Sequence, residues 1–362
     1  MTRNIKLFDP VVGKKEEIAV RNVLHSHFWA SGAGTNQVLK FETAFKKYTN
    51  ANSCVALNSG TAALHLALSL IELNKKEVIL PSLSFVATAH AVLLNNAKPV
   101  FVDIDPITGC INPNEIENSI TENTKAILPV HFAGMSCDLD RLVRICKRHN
   151  ITLIEDAAHA AGATYRGRKI GSHGTAVCFS FHPVKNLAMP TGGAITLNTK
   201  NCSQFETNLK SKRWCGISER DGVKYNVDKM GLNYYLNEFS AAIGIEQLKK
   251  LDRTNQQRRF VAKRYAAELK VEKKMPFNLE CAYHFYWICV KNRERFMRYM
   301  LDRGIETGIH YKPIHTMKFY VKENNKLPHT ENFGEQIVSL PTHPNLTESD
   351  ISRIIKAINN YS

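Results

Sequence analysis

The sequence lacks any long apolar run. In its 362 residues, no stretch approaches the roughly 18 to 20 consecutive apolar residues that a membrane-spanning helix requires. The segment from Met1 to Lys15 mixes charges with short apolar pairs and lacks the apolar centre of a signal peptide. These absences favour a cytoplasmic protein without a membrane partner.

Paired cysteines are also missing. The nine cysteines are an odd number, and none belongs to a Cys-x-x-Cys pair. Several lie in apolar runs, as Cys54 and Cys178 do. This pattern favours buried free thiols over disulfides or a metal site, so we expect no metal.

Acidic residues are fewer than basic ones, 33 against 48, which leaves a formal charge of +15. Such an excess raises the question of nucleic acid, but the basic residues are spread along the chain without a nucleic-acid-binding motif. Positive charge also suits a protein that must attract phosphorylated ligands. We expect no nucleic-acid partner. The alternative, a basic nucleic-acid-binding protein, predicts binding that depends steeply on salt.

Short apolar runs alternate with helical patterns over the first two-thirds of the chain. This alternation predicts an α/β fold with a mostly parallel sheet of seven strands that helices cover on both faces. The predicted strands are Cys54–Leu57, Val78–Leu80, Val100–Ile104, Ala126–Val130, Thr152–Glu155, Ala176–Phe181 and Ala194–Leu197. The predicted helices between the earlier strands are Thr61–Leu73, Ala87–Asn95, Asn114–Ile120 and Leu139–His149.

The last two predicted strands need a different connection. Only about a dozen residues separate Phe181 from Ala194, and Pro183 and Pro190 are among them. A parallel crossover needs more chain and normally a helix. We therefore predict an antiparallel pair joined by an irregular loop, which is a good place to hold a reactive side chain.

Beyond Asn233 the pattern changes to a long amphipathic helix, roughly Leu236–Leu269, followed by mixed strands and helices. A chain of this length exceeds the size at which one core usually stops growing. We predict a large domain over residues 1–244 and a smaller α/β C-terminal domain over residues 245–362.

Three short segments carry candidate chemistry, and the first is Asn58-Ser59-Gly60-Thr61-Ala62. It follows a predicted strand and opens an apolar helix. The first N–H groups of a helix are unsatisfied donors at the positive end of its dipole, so such a turn binds phosphate well. An ordinary helix cap by Ser59 or Thr61 is the simpler explanation of the motif alone.

The second segment runs from Ile154 to His159, at the end of another predicted strand, where ligands gather in open α/β sheets. Asp156 could pair with a protonated ring nitrogen and keep a pyridine ring an effective electron sink. A helix cap for Asp156 and a packed, hydrogen-bonded role for His159 are the alternatives.

The third segment is Ser180-Phe181-His182-Pro183-Val184-Lys185-Asn186, which leads to Thr191-Gly192-Gly193. A lysine among apolar residues on a constrained loop has its pKa lowered by desolvation, and a neutral amine can form an imine. A lone loop lysine is usually a solvated charge. The conjunction matters: a phosphate cradle, a strand-end Asp and a loop Lys follow in order, each after a strand, and together they describe a pyridoxal-phosphate site.

These segments resemble the DegT/DnrJ/StrS family of sugar aminotransferases, which are fold type I pyridoxal-phosphate enzymes. The resemblance runs over nearly the whole chain, from Phe28-Trp29-Ala30-Ser31-Gly32 to Leu340-Pro341. The segments that carry it are PSLSFVATAHAVL, KPVFVDID, IEDAAHAAGATYRGRKIG, SFHPVKN, GLNYYLNEFSAAIGIEQLKKLD and GIHYKPIH.

The resemblance implies roles for individual residues. Lys185 corresponds to the lysine that forms the Schiff base with the cofactor and later moves protons, and Asp156 to the partner of the pyridine nitrogen. Further cofactor contacts implied are ring stacking by Phe85, phosphate binding by Gly60, Thr61, Ala62 and Ser180, His159 near the phenolic oxygen, and Asn233 reaching the phosphate from the other subunit of a homodimer.

Three positions depart from the family pattern. Where the family usually has Gly-Glu-Gly-Gly after the lysine, the run here is Met189-Pro190-Thr191-Gly192-Gly193. Tyr235 replaces an Arg, and Cys215 replaces a His before Gly216. These changes affect substrate contacts inherited from the family rather than the cofactor contacts above.

By resemblance, the expected reaction is transamination from L-glutamate to a nucleotide-linked 4-keto-6-deoxy sugar carried on UDP, dTDP or GDP, giving a 4-amino-4,6-dideoxy sugar. Amination at C3 is the nearest alternative. Related sugar dehydratases carry His at the lysine position, so Lys185 argues against that activity. A cofactor-binding sensor remains a further alternative.

Overall fold

The computed structural model describes residues 3–321 and 326–361, which form a mixed α/β molecule. The strands are β1 (Ser53–Leu57), β2 (Glu77–Pro81), β3 (Lys98–Val102), β4 (Thr124–Ile127), β5 (Thr152–Asp156), β6 (Thr164–Tyr165), β7 (Arg168–Lys169), β8 (Ala176–Ser180), β9 (Gly193–Leu197), β10 (Ile217–Asp221), β11 (Lys224–Val227), β12 (Tyr286–Cys289) and β13 (Ile337–Leu340).

Helices follow most of the strands. They are α1 (Lys14–Ser26), α2 (Gln37–Thr49), α3 (Gly60–Leu68), α4 (Ala87–Leu94), α5 (Pro113–Ser119), α6 (Leu139–His149), α7 (Cys202–Lys212), α8 (Glu238–Glu268), α9 (Arg293–Leu301), α10 (Pro328–Gln336) and α11 (Glu348–Asn359), with short 3₁₀ turns at Phe132–Gly134 and Ile314–Thr316.

Seven strands form the main sheet in the order β1-β9-β8-β5-β4-β2-β3. They are the seven strands predicted from the sequence. The pairs from β8 through β5, β4 and β2 to β3 are parallel, whereas β9 runs antiparallel to both β8 and β1. The predicted fold class, a mostly parallel seven-stranded sheet of fold type I, is confirmed.

Both faces of this sheet are buried, which explains why its strands are continuous apolar runs rather than alternating ones. On β8, Val177 and Phe179 pack into one hydrophobic core, and Ala176 and Cys178 pack into the other. Cys54 and Cys178 are both buried, as expected from their apolar surroundings.

Most strand boundaries differ from their predictions by one to three residues, and β3 shows the reason most clearly. The apolar run Val100–Ile104 was predicted as a strand, but β3 begins at Lys98 because pairing with β2 starts at Glu77 opposite Lys98. β3 lies at the edge of the sheet, where Pro99 is tolerated because its missing N–H removes no ladder hydrogen bond from a second neighbour.

The loop between β8 and β9 is held closed at its base. The N–H of Phe181 donates to the carbonyl of Gly192 at 2.8 Å, and the N–H of Met189 donates to the carbonyl of Phe181 at 2.8 Å. Phe181 and Met189 are buried, so apolar anchors fix the loop that carries Lys185. The predicted antiparallel pair with an irregular connection is confirmed.

The predicted long helix is α8, a single 31-residue helix whose N-cap is Asn237. The side chain of Asn237 accepts a hydrogen bond from the N–H of Ser240 at 2.8 Å. Gly244 lies inside this helix, and the division into domains at that residue stays a prediction. Over the two described ranges, no helix combines the length and the apolar character needed to cross a membrane.

Candidate active site

A cavity of about 350 Å³ opens where β1, β5 and β8 end. Its lining unites the three segments singled out in the sequence. The sequence-predicted residues in that lining are Gly60, Thr61, Phe85, Asp156, His159, Ser180 and Lys185. Ala62 and Asn233 are not part of it. The lining also contains side chains for which no role was predicted from the sequence: Ser84, Thr88, His182, Thr191, His310 and Tyr311.

The turn into α3 forms one wall of the cavity. Ser59 has extended backbone geometry, and its hydroxyl accepts a hydrogen bond from the N–H of Ala62 at 3.1 Å. The N–H of Ala62 is therefore already engaged by the cap. Gly60 and Thr61 are the first helical residues, and the N–H groups of a first turn have no acceptor within their helix.

Gly60 brings this turn against the end of β8. A Cβ added at Gly60 would lie 2.7 Å from the Cβ of Ser180, closer than side chains approach. The absence of a side chain thus lets the Ser180 hydroxyl and the first turn of α3 face one small volume. Neutral donors of this kind, at the positive end of a helix, suit a phosphate group.

Asp156 ends β5 and is 3% exposed. One carboxylate oxygen accepts a hydrogen bond from the hydroxyl of Thr88 at 2.8 Å, and the other accepts one from the N–H of Ala158 at 3.0 Å. Burial raises the pKa of Asp156, and these two hydrogen bonds and the charge of Lys185 offset part of that rise. Among residues 3–321 and 326–361, no cationic side chain lies within ion-pair distance of this carboxylate.

A second hydroxyl supports Thr88. The hydroxyls of Ser84 and Thr88 lie 2.7 Å apart. Because Thr88 gives its single proton to Asp156, Ser84 must donate to Thr88. The carboxylate is thus oriented by a relay of two hydroxyls, one from the turn before α4 and one from its first turn, four residues apart in sequence.

Lys185 reaches the cavity from the closed loop between β8 and β9. Burial lowers the pKa of its amine to about 8, and the negative charge of Asp156 offsets part of this effect. The amine nitrogen lies 3.5 Å from Nε2 of His284. A lysine with such a pKa has a substantial neutral fraction near neutral pH, which nucleophilic attack on a carbonyl requires.

His159 lies beside an aromatic partner from the C-terminal part of the chain. Its Nε2 is 2.9 Å from the hydroxyl of Tyr311, and the two rings are nearly parallel with centroids 5.9 Å apart. Burial and the positive charge of Lys185 hold the pKa of His159 well below its usual value. Burial raises the pKa of Tyr311. His159 is therefore neutral, and Tyr311 keeps its proton.

Phe85 lies at the edge of the cavity, whereas Asn233 lies outside its lining. Phe85 is 57% exposed at the cavity, and its ring centroid lies 5.9 Å from that of Tyr311. Asn233 is exposed, and its carbonyl accepts a hydrogen bond from the side chain of Asn58 at 3.2 Å. The stacking role of Phe85 and the contact of Asn233 with a second subunit stay predictions.

The donor set fits pyridoxal phosphate on three grounds. Asp156 is a buried carboxylate with hydrogen bonds but without a described cation, so it is suited to a protonated ring nitrogen. Lys185 has an amine of lowered pKa in the same cavity. The first turn of α3 and Ser180 supply neutral donors for a phosphate.

Comparison with known proteins supports the same reading. The sequence model of the DegT/DnrJ/EryC1/StrS aminotransferase family matches residues 10–359. Helicobacter pylori PseC, an aminotransferase of pseudoaminic acid biosynthesis, superposes with a TM-score of 0.92 at 29% identity, covering 98% of each chain. DesV of S. venezuelae, solved in complex with a ketimine intermediate, superposes with a TM-score of 0.88 at 31% identity, covering 95% of this chain and 93% of its own.

A third similar structure concerns the cofactor. A candidate sugar aminotransferase of Streptococcus pneumoniae, solved in its PLP-form, has a TM-score of 0.92 at 26% identity, covering 99% of this chain and 98% of its own. The cofactor of the family is pyridoxal 5′-phosphate, and the cavity described above is where this chain would hold it.

Proposed function

Because this chain belongs to the DegT/DnrJ/EryC1/StrS aminotransferase family, we propose that it transfers an amino group from L-glutamate to C4 of a nucleotide-linked 4-keto-6-deoxy sugar. One observation carries the proposal: Lys185, Asp156 and the phosphate cradle formed by Gly60 and Ser180 all line one cavity at the strand ends. The choice of C4 and of glutamate rests on the resemblance of the sequence to the family.

When bound, pyridoxal phosphate supplies a carbonyl that can carry the amino group and a ring that accepts electrons. Asp156 would keep the ring nitrogen protonated, since its buried charge gains a partner there. Lys185 would take the proton from the donor carbon and deliver it again, which requires the neutral amine that its lowered pKa allows.

The remainder of the cavity suits a sugar. Ser84, Thr191 and Tyr311 supply hydroxyls, and His182 and His310 supply imidazoles, so the lining offers many neutral hydrogen-bonding groups. Burial lowers the pKa of His310 to about 4, which leaves it neutral. Neutral polar groups at fixed positions in a cavity can orient a ligand that carries several hydroxyl groups.

The proposed assembly is a homodimer in which each subunit completes the site of the other. Val223 and Met230, in and after the β10–β11 hairpin, are 90% and 82% exposed. Apolar side chains exposed to that extent favour burial against another copy. Asn233 follows this hairpin closely and would reach the phosphate site of the partner.

The first experiment is absorbance spectroscopy of the purified protein with pyridoxal phosphate. A visible absorption band that L-glutamate bleaches, with formation of 2-oxoglutarate, is the expected result. The bleached protein is then offered UDP-, dTDP- and GDP-linked 4-keto-6-deoxy sugars, with a 3-keto sugar as the competitor. Return of the band and mass and NMR analysis of the product locate the new amine.

Each outcome has a distinct meaning. Amination of the 3-keto sugar alone would replace C4 by C3, and deoxygenation without glutamate consumption would indicate a dehydratase. A band that no amino donor bleaches would favour a sensor, and no band at all would contradict the proposal.

The shared site has its own test in mixed dimers. Lys185→Ala and Asn233→Ala are each expected to be inactive as homodimers. A hybrid dimer has one site with both lesions and one with neither, so mixing the two variants should restore part of the activity. If mixing restores none although hybrids form, Asn233 does not act across the interface.

A further inference from the structure

Three imidazoles from separate parts of the chain surround the amine of Lys185. His159 follows β5, His284 precedes β12, and His310 lies beyond α9. The positive charge of Lys185 contributes to lowering the pKa of each of them, as it does for His182 in the lining of the cavity. His284 is the one within hydrogen-bonding reach, with Nε2 at 3.5 Å from the amine nitrogen. The mechanism above gives His284 no role.

The ring of His284 has little freedom to turn. His284 is 1% exposed, and its ring packs nearly parallel to the ring of Phe8 with centroids 5.1 Å apart. It also packs against His159 with centroids 4.7 Å apart. The backbone N–H of His284 donates to the carbonyl of Ala133 at 2.9 Å. These contacts from three other segments fix the direction in which Nε2 points.

The charges around His284 keep it neutral. Burial, followed by Lys185, His159, His310 and Arg258, holds its pKa well below the usual value. Within the described parts of the chain no carboxylate forms an ion pair with it, and Asp156 faces Lys185 instead. The group at hydrogen-bonding distance from the lysine amine is therefore a neutral imidazole rather than a carboxylate.

The protonation of Lys185 decides which ring nitrogen carries the proton. With a pKa of about 8, Lys185 is mostly an ammonium group at pH 7 in the cofactor-free protein. An ammonium group only donates hydrogen bonds. Nε2 of His284 must then be the acceptor, and the imidazole proton lies on Nδ1.

We infer that His284 is a positioning residue for transamination: it accepts a hydrogen bond from Lys185 and aims the amine into the cavity. This inference rests on the proposed function. A carboxylate in this place would orient the amine but keep it protonated. A neutral acceptor orients the amine while leaving its lone pair available to take a proton from a substrate carbon.

The decisive measurement is the pKa of Lys185 in the full-length, cofactor-free protein. It is obtained from the pH dependence of acetylation of Lys185, followed by peptide mass spectrometry. His284→Phe keeps an aromatic ring against Phe8 but removes the acceptor. The ammonium form loses a hydrogen bond, so the pKa of Lys185 should fall by about one unit.

Two further variants separate positioning from packing. His284→Gln places an amide oxygen near the position of Nε2 and should keep the pKa of Lys185 close to that of the unaltered protein. His343→Phe removes another buried imidazole, one that is bonded to the carbonyl of Lys6 rather than to Lys185. It should leave the pKa of Lys185 unchanged. Thermal unfolding of all three variants verifies that they are folded.

The holoenzyme gives a second readout. In His284→Phe, kcat with glutamate should fall about tenfold or more while KM changes little, because His284 contacts the lysine rather than the substrate. His284→Gln should recover part of kcat. A change in KM alone would contradict a positioning role.

The inference is overturned if His284→Phe leaves the pKa of Lys185 unaltered, or if His284→Gln shifts it as far as His284→Phe does. These results are independent of the sugar. A shifted pKa in a protein that does not transaminate would leave the contact standing and remove the proposed function. Transamination with an unshifted pKa would remove only the inference.

Discussion

Glu155 and Asp156 are neighbours at the end of β5, yet they meet different surroundings, since successive side chains of a strand point to opposite faces. Glu155 is fully buried, lies 2.8 Å from Nε2 of His131 and also accepts a hydrogen bond from the N–H of Gly174. Asp156 meets the hydroxyl of Thr88, one N–H group and a cavity. We call these the Glu155 pair (Glu155 and His131) and the Asp156 site (Asp156, Thr88 and Lys185).

The buried imidazoles of His131 and His284 also differ in how many of their ring nitrogens have a hydrogen-bond partner. Nδ1 of His131 accepts a hydrogen bond from the N–H of Cys137 at 3.1 Å, so its proton lies on Nε2 and goes to Glu155. His284 has a polar partner at Nε2 but, over the described ranges, none at Nδ1. Saturated polar groups hold a fold together, whereas groups with spare bonding capacity are available to a ligand.

Of the substitutions in the Glu155 pair and the Asp156 site, replacing Lys185 should have the largest effect, a loss of turnover. Lys185→Ala should reduce turnover on the order of 1,000-fold, because it removes the only group proposed to move the proton. Its unfolding free energy should not fall, since a partly desolvated charge is removed. Steady-state kinetics and urea denaturation measure the two effects.

Lys169→Ala is the matched control for Lys185→Ala. Lys169 forms an ion pair with Asp252 away from the cavity, so its loss should leave turnover unaltered. Substantial transamination by Lys185→Ala would contradict the assignment of the lysine.

Breaking the Glu155 pair should lower the free energy of unfolding rather than act directly on turnover. Glu155→Ala leaves the Nε2–H of His131 and the N–H of Gly174 without their acceptor, which should cost about 3–5 kcal/mol of unfolding free energy. Urea denaturation measures this loss. Glu155→Gln keeps an acceptor oxygen and should lose less. A stable Glu155→Ala variant that fails to bind the cofactor would invert the comparison.

Removing the carboxylate of Asp156 should affect turnover and cofactor binding more than stability. Asp156→Ala should slow turnover about 100-fold and weaken cofactor binding, because the ring nitrogen loses its charged partner. The cofactor-free protein should lose less stability than Glu155→Ala does, because burial already opposes the charge of Asp156 and this offsets part of the cost of leaving the Thr88 hydroxyl and the N–H of Ala158 without an acceptor. Cofactor titration and denaturation test both points, with Asp156→Asn as the control for shape. Near-normal kinetics would mean that the ring nitrogen has another partner.

The sequence predicted the residues whose position follows from a strand end. Gly60, Asp156 and Lys185 each come after a strand of the parallel sheet, so periodicity and turn residues sufficed to bring them together. Ala62 shows the limit of that reasoning: the sequence left a cap by Ser59 open as an alternative to phosphate binding, and the structure shows that this cap uses the N–H of Ala62.

Contacts between distant segments could not be predicted in this way. His284 lies 99 positions from Lys185, and Thr88 lies 68 positions from Asp156. Ser84 lies in the turn before α4 and Thr88 in its first turn, so their closeness in sequence was the local signal of the hydroxyl relay. Tyr311 comes from a segment that resembles the family, yet its contact with His159 depends on how the C-terminal part packs.

The smallest expected effect is that of replacing Thr88. This replacement keeps the carboxylate of Asp156 and removes only the hydrogen bond that orients it. Thr88→Val keeps the shape of the side chain but removes the hydroxyl that donates to the carboxylate. The ionised form of Asp156 loses a hydrogen bond, so its pKa should rise by about one unit above its already raised value. Cofactor affinity depends on the ionised form and is lost as the pH falls through this pKa.

The acid limb of cofactor affinity should therefore move to higher pH in Thr88→Val, while affinity at pH 8 stays nearly unaltered. Fluorescence titration with pyridoxal phosphate between pH 5 and pH 8 measures the shift. Thr88→Ser keeps the hydroxyl and should follow the unaltered protein. An equal loss of affinity at every pH would show that Thr88 acts through packing. The Asp156 site would then resemble the Glu155 pair, in which the polar groups mainly support the fold.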